Sequence, residues 1–393
     1  MPPDRSIGRI RMKSKTFWTT ALLVLAAGCG DKTATPDGKG GGTSAAGPIK
    51  IGVAGPMTGG QAKNGEDLMD GATMAVEEIN AKGGVLGRKL EIVTRDDQAE
   101  PKNAPAAAQQ LVGEHVVGVI GHFNSGSTIP ASEIYHKNGI VTITPASTNE
   151  FVTDRKYDDV FRVCGRDDQQ SAKAAEFVVN ELKAKRVAVF DDQTAYGKGL
   201  ADGFERNVKD KTTIALREHF DTKERNFRPY LNKLKEANVD LWYFGGIYEQ
   251  AAPMLMQAKQ LGITAPMMSG DGVHGYVKEF LEVCGKDADG TFTTFPATNP
   301  AFTEAYKKRF AGKEPGPYAI FSYTATKVLA DAVAAAGSTD GPKVAKAIHA
   351  GKFDCPIGAI EFDEKGDVKD RAEGKYVVWV VKDGKHVQYS AGR

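Results

Sequence analysis

Short β-branched runs alternate with longer helical patterns along this chain, and the alternation is written out twice. The first series runs "IKIGVAG", a helix around "GEDLMDGATMAVEEINAKGG", "KLEIVTRDD", a helix across "NAPAAAQQLVGEH", "VVGVIG", a helix from Thr128 to Lys137, and "VTITP". Repeated strand-then-helix units imply a parallel sheet with right-handed crossovers. In "LMDGATMAVEEIN", residues Leu68, Ala72, Ala75, Val76 and Ile79 recur at helical spacing and form one buried stripe.

A second series follows "FRVCGRDD". It holds "RVAVFDD", a helix from Gly197 to Val208, "TIALREHF", a helix around "FRPYLNKLKEAN", "LWYFGG", a helix around "QAAPMLMQAKQLG", "APMMSGDG" and a helix near "YVKEFLEVCG". Two more helices and the strand-like "GAIEFDEKGD" and "YVVWVVKDGKHVQYS" close the chain, the last with Asp-Gly as a hairpin turn. With 393 residues, 41% of them hydrophobic, the expectation is an α/β protein of two doubly wound domains.

The first residues read as an export signal. Arg9, Arg11, Lys13 and Lys15 precede "FWTTALLVLAAG", an apolar run too short to span a bilayer, which ends in small residues before Cys29. "LAAGC" predicts a lipoprotein signal over residues 1–28, cleaved behind Gly28, with lipid on the Cys29 thiol. Met12 opens a compact version of the same signal. Residues 29–47, rich in Gly, Ser, Thr and Pro, would then tether the folded body roughly 20–25 Å from the membrane. The expected location is extracytoplasmic, membrane-anchored through Cys29.

Several function classes recede on composition. A formal charge of +1 gives no electrostatic pull on nucleic acid. Cys164, Cys284 and Cys355 form no CxxC and allow at most one disulfide, and the His and Cys spacing suggests neither a metal site nor a cofactor. His122 stands three residues before Ser125, yet no GxSxG elbow accompanies them, and the glycines of "GVAGPMTGG" are wrongly spaced for a dinucleotide loop, so no enzyme is expected.

Two hydroxyl-rich clusters carry the functional expectation. Ser125-Gly126-Ser127-Thr128 and Thr144-Pro145-Ala146-Ser147-Thr148 each follow a β-branched run. In open α/β sheets the ligand crevice lies beyond the carboxyl ends of the strands, where helix N-termini offer N–H groups to anions. One such cluster reads as an ordinary helix cap; two that face one point suit a small carboxylate.

"GHFNSGSTIPASEIYHKNGIVTITPAST", with "GPMTGGQAKNGED", "INAKGGVLGRKLEIVTRDD", "VFDDQTAYGKGLADGF", "GDGV" and "FDEKGD", resembles the periplasmic leucine/isoleucine/valine-binding proteins of branched-chain amino acid ABC transporters, over essentially all of the chain from Ile49. The resemblance implies a periplasmic binding protein type I (Venus-flytrap) fold of two Rossmann-like lobes joined by three hinge crossings, near Cys164-Gly165, Thr294-Phe295 and Gly374-Tyr376. Lobe 1 would comprise residues 48–164 plus 295–374, and lobe 2 residues 165–294 plus 375–393.

The resemblance also assigns roles. The ligand carboxylate would meet Ser125 and Thr148, and its ammonium the Ala146 carbonyl and Asp271, with Phe123, Tyr196 and Tyr318 as aromatic walls. Asn64 and Ile247 stand where members commonly carry rings, and Tyr248 is placed to compensate for the missing ring. The implied protein is a monomer that delivers an aliphatic amino acid to a membrane permease. The competing expectation is a sensor of another amino acid or small amide, uncoupled from transport.

Overall fold

The computed structural model describes residues 47–297, 299–369 and 376–390; the signal, Cys29 and nearly all of the tether lie outside them. The first half runs β1 (Ile49–Gly55), α1 (Ala62–Ala81), β2 (Leu90–Asp96), α2 (Ala104–Gly113), β3 (Gly118–Gly121), α3 (Ser125–Lys137), β4 (Val141–Thr144), α4 (Phe151–Asp154) and β5 (Val160–Arg162). The second runs α5 (Asp167–Glu176), β6 (Arg186–Asp191), α6 (Ala195–Val208), β7 (Thr213–His219), α7 (Arg228–Ala237), β8 (Leu241–Gly245), α8 (Tyr248–Gln260), β9 (Met267–Ser269), α9 (Glu282–Cys284) and β10 (Phe292–Pro296). The tail adds α10 (Pro300–Arg309), α11 (Ala319–Ala336), α12 (Gly341–Ala350), β11 (Phe353–Cys355), β12 (Gly358–Ile360), β13 (Tyr376–Lys382) and β14 (Lys385–Gln388).

The twofold alternation becomes two sheets of the same order. The first is β2-β1-β3-β4-β5; the second reads β7-β6-β8-β9-β10 in the same sense, then gains β13 and β14. Every pairing among the first five strands of each sheet is parallel, whereas β13 and β14 join antiparallel. Asp383 and Gly384, both at positive φ (50° and 68°), make the expected hairpin turn between them.

Period-2 alternation feeds both faces of each sheet. Val53 and Ile120 point to one core while Ala54 and Val119 point to the other, shared with α2 and α3. In the second sheet Ala188, Phe190, Trp242 and Phe244 take one side and Val187, Val189, Leu241 and Tyr243 the opposite one. A parallel sheet covered on both faces reads as a continuous apolar run. Burying each such Val, Leu or Phe contributes about 1.5–3 kcal/mol.

Three details fill in the expectations. α3 begins at Ser125 rather than Thr128, so the first hydroxyl cluster is the first turn of the helix. β10 continues through Pro296, where the antiparallel ladder pairs Phe295 with Val377 and Pro296 with Tyr376, so the second sheet extends past the crossing expected at Thr294-Phe295. Cys164 and Cys284 are buried free thiols, so the single disulfide that the count allows is not formed.

Candidate functional site

Equal strand order places equivalent loops at equivalent points. The winding of each sheet reverses between β1 and β3 in one and between β6 and β8 in the other, the point at which this topology places a ligand crevice. Ser125 follows β3, Ala146 and Thr148 follow β4, Tyr196 opens α6 after β6, Ile247 precedes α8 after β8, and Asp271 follows β9. Asn64 lies in the first turn of α1, and Tyr318 immediately precedes α11.

On the first lobe, side-chain hydroxyls cross-link the two clusters. Ser147 Oγ donates to the Phe123 carbonyl (2.8 Å) and lies 2.5 Å from Thr128 Oγ1, while Thr144 Oγ1 donates to the His122 carbonyl (2.8 Å). Ser125 Oγ accepts from the Asn149 N–H at 3.3 Å. Arg162 shapes the loop from below. Its buried guanidinium donates to the Ser147 and Asn149 carbonyls (3.0 and 2.8 Å), to Thr153 Oγ1 (2.6 Å) and to Asp367 (2.8 Å). Both carbonyls that flank Thr148 are thus turned away from the cleft. Thr148 Oγ1 and Ser127 Oγ remain buried with no hydrogen bond of normal geometry. Such orphans are uncommon in a folded interior and mark a place for a ligand or water.

The second lobe presents an acid. Asp271, only 3% exposed, accepts from Tyr196 OH (2.7 Å) and Gln170 Nε2 (3.0 Å). Burial pushes its carboxyl above the ordinary aspartate range, against the pull of the Tyr196, Gln170 and Tyr318 donors. Gln170 also accepts from the Asp271 N–H (2.7 Å) and from Thr294 Oγ1 (2.9 Å), which fixes the loop that carries the acid. The Tyr318 ring packs edge-on to Phe123, centroids 4.8 Å apart, so one tyrosine joins an aromatic wall of the first lobe to the acid of the second.

The rims of the lobes are in contact. Tyr276 OH donates to Asn64 Oδ1 (2.7 Å) and Tyr248 OH to the Gly60 carbonyl (3.0 Å), with the two tyrosine rings 4.2 Å apart; Asn149 Nδ2 donates to the Ala195 carbonyl (2.7 Å) on another part of the rim. The structure is a closed one. Asn64 therefore faces Tyr276, and Ile247 is buried against Gly272. Tyr248 reaches the rim rather than Asp271. A Cβ on Gly197 would lie 2.5 Å from the Gly245 carbonyl, so the helix carrying Tyr196 meets the end of β8 backbone to backbone.

The structure gathers Tyr196, Gln170 and Tyr318 on Asp271 and links Thr148 to them through Asp167, while Ser125 meets Asn149; sequence reasoning had not singled out Arg162, Gln170, Asp167 or Tyr276. Arg162 had a signal: a charge inside the apolar run "VFRV" must find partners when the strand is buried. His122 is held by Asp97 (2.6 Å) and Tyr135 (3.1 Å), not by Ser125. A cavity of about 1440 Å³ lies on the crossing side, bordered by Val163–Gly165, His274, Phe295 and Phe321, and the residues that converge on Asp271 do not line it. Away from the cleft, His136, Asp158 and Asp159 bring three possible metal-ligand atoms within 4.8 Å, a grouping that spacing did not suggest; His136 Nδ1 already bonds Asp159 at 2.8 Å. No helix among the described residues is long and apolar enough to cross a membrane.

Two α/β lobes of one strand order, closed over orphaned hydroxyls on one side and a buried acid on the other, define a bilobal ligand-binding protein. The chain belongs to the periplasmic binding protein family, whose model matches residues 48–385, and that family consists of binding proteins rather than enzymes. It is 39% identical over 334 residues to a Leu/Ile/Val-binding protein homolog of Brucella suis, covering 84% of this chain and 90% of the relative. It is 38% identical to the leucine-, isoleucine-, valine-, threonine- and alanine-binding protein of Pseudomonas aeruginosa, covering 83% and 88%. Among solved structures it resembles the leucine binding protein LivK of Thermotoga maritima, with a TM-score of 0.80 at 33% identity over 87% of this chain and 98% of that one. The fold is that of type I periplasmic binding proteins.

Proposed function

We propose that this chain is the extracytoplasmic substrate-binding component of an ABC importer for a small aliphatic amino acid, branched-chain ones first. The observation that carries the reading is the pairing, across one closed cleft, of buried hydroxyls at Ser127 and Thr148 with a buried acid at Asp271. A buried carboxylate needs donors and a buried ammonium needs an anion, so an α-amino acid zwitterion matches both sides at once. In this reading Ser125 and Thr148 take the carboxylate, the Ala146 carbonyl and Asp271 take the ammonium, and Phe123, Tyr196 and Tyr318 wall the side chain. Asn64 and Ile247 border the site, Asn64 through its bond to Tyr276.

Relatives whose names specify leucine, isoleucine and valine support the ligand class. Lipid on Cys29 and residues 29–47 as a tether would hold the protein, as a monomer, near its permease. Ligand favours the closed arrangement because its contacts come from both lobes. A thermal-shift screen of the twenty amino acids, followed by calorimetry, tests the reading: leucine, isoleucine or valine should give the largest stabilisation by mass action. Stabilisation by none of the twenty would sink it.

A further inference from the structure

The cleft holds a second acid that the reading above leaves unused. Asp167 opens α5, where the chain crosses between the lobes; it is completely buried, and its N–H donates to the Thr148 carbonyl at 2.9 Å. Gln170 Nε2 lies 3.0 Å from Asp271 Oδ1 and 3.4 Å from Asp167 Oδ1, so a single amide nitrogen stands between two carboxyl groups. The Thr148 hydroxyl faces the Asp167 carboxyl, and beyond that contact neither Asp167 Oδ2 nor Thr148 Oγ1 has a hydrogen-bond partner among the described residues.

Two carboxylates this close do not both ionise in a dry cleft without a cation to share. The groups that face Asp167 supply none. Arg162 of β5 is committed to Asp367, Thr153 and two carbonyls. Glu150, after β4, and Asp271, after β9, only add negative charge. Cys164, Tyr196, Tyr243 and Tyr376 are kept neutral by burial. On α5 itself Asp168 is paired with Arg166 (3.1 Å). A helix N-terminus favours an anion, and the Thr148 hydroxyl and the Arg162 charge pull the same way, but burial first and the Asp271 charge second push the Asp167 carboxyl well above the ordinary aspartate range.

We propose that Asp167 is a proton-bearing positioning residue of the cleft: in the closed state it stays neutral and donates from Oδ2, which lets a ligand carboxylate sit at Thr148 while Asp271 alone keeps its charge for the ammonium. This deepens the zwitterion reading and rests on it. A charged Asp167 next to Thr148 would repel the carboxylate; a neutral one attracts it. Opening the cleft to water returns Asp167 toward the ordinary aspartate pKa of about 3.9. Closure over ligand then takes one proton from solvent, and reopening gives it back. Because the closed state binds more protons than the open one, affinity falls as pH rises above that ordinary value, by up to about tenfold per unit.

The test has two arms. Calorimetry with L-leucine between pH 6 and 8, in two buffers of different ionisation enthalpy, should show proton uptake by the wild type and an affinity at least about tenfold weaker at pH 8. Asp167→Asn, a permanently neutral mimic, should bind leucine with an affinity independent of pH and tighter than the wild type's at pH 6, and take up no proton. Thermal unfolding in saturating amino acid, which holds the cleft closed, forms the second arm: Asp167→Asn should raise Tm over the wild type more at pH 8 than at pH 5, because only the aspartate must then carry a costly charge or proton. A flat wild-type profile without proton uptake, or a Tm difference equal at both pH values, overturns the proposal. Leucine that binds neither protein would sink the branched-chain reading instead, and the melting arm, run with whichever amino acid stabilises the protein, would still decide Asp167.

Discussion

The two rims of the cleft solve opposite problems. The first lobe offers neutral donors and leaves some of them empty, since Thr148 Oγ1 and Ser127 Oγ are unpartnered while Arg162 draws the neighbouring carbonyls aside. The second lobe offers a carboxylate that is already engaged, since Tyr196 and Gln170 donate to Asp271. The contrast teaches where discrimination arises. In the proposed reading an amino acid on the first lobe meets hydroxyls with few other partners, so each bond formed there is a gain; on the second it exchanges existing donors for an ammonium, and only a charged donor makes that exchange worthwhile.

Removing the acid should break the contrast most severely. Asp271→Ala is expected to weaken amino acid binding by about 2–5 kcal/mol, roughly thirtyfold to several-thousandfold, because it strands a buried ammonium; an unchanged Kd in calorimetry would take Asp271 out of the site. Acid should distinguish the lobes next. In the second lobe burial holds His274 well below the ordinary histidine pKa and pulls His386 down to about 4, with the two rings 4.3 Å apart. Since the unfolded chain binds these protons near 6.5 and the folded one only at lower pH, stability is full above about 6.5 and declines toward 4. The expected loss at pH 5 is about 2 kcal/mol for His386, read as a falling denaturant midpoint. An unchanged midpoint between pH 7 and 5 would mean that the histidines are hydrated.

Smaller changes sharpen the comparison. Thr148→Val removes a hydroxyl whose one protein neighbour is the buried Asp167 carboxyl, so it should cost about 0.5–1.5 kcal/mol of ligand affinity and change Tm by less than that equivalent. A drop in Tm without a change in Kd would reverse that assignment. Tyr276→Phe deletes one rim bond between the lobes and should shift the unliganded protein toward the open form by about 0.5–1.5 kcal/mol. Fluorophores placed on the two lobes would register the shift as lower transfer efficiency; identical efficiency would show that this bond does not restrain closure.

Much of this was legible in advance because two periodicities, two and 3.6, are strong along this chain. The strands through Gly118–Gly121 and Val141–Thr144 were placed from apolar runs alone, and strand order then delivered the loops. What stayed hidden was long-range pairing. Gln170 reaches Asp271 from 101 positions away, and no local pattern announces such a contact. The helix Asp167–Glu176 was passed over because its charged start resembles a solvated turn. Its first residue is nonetheless buried to 0% exposure. The ring missing at Asn64 was noticed, but not that Tyr276 would bond that asparagine from the other lobe.

The tie between Arg162 and Asp367 sets an order on the birth of the molecule. Residues 147–149 hang from a guanidinium whose counter-ion lies 205 positions downstream, at the end of "FDEKGD". During synthesis the strands of the first lobe emerge long before that aspartate, so the cradle around Thr148 stays unfinished until nearly the whole chain has left the ribosome. A nascent or truncated polypeptide ending short of Asp367 would carry the hydroxyls without the shape that makes them useful.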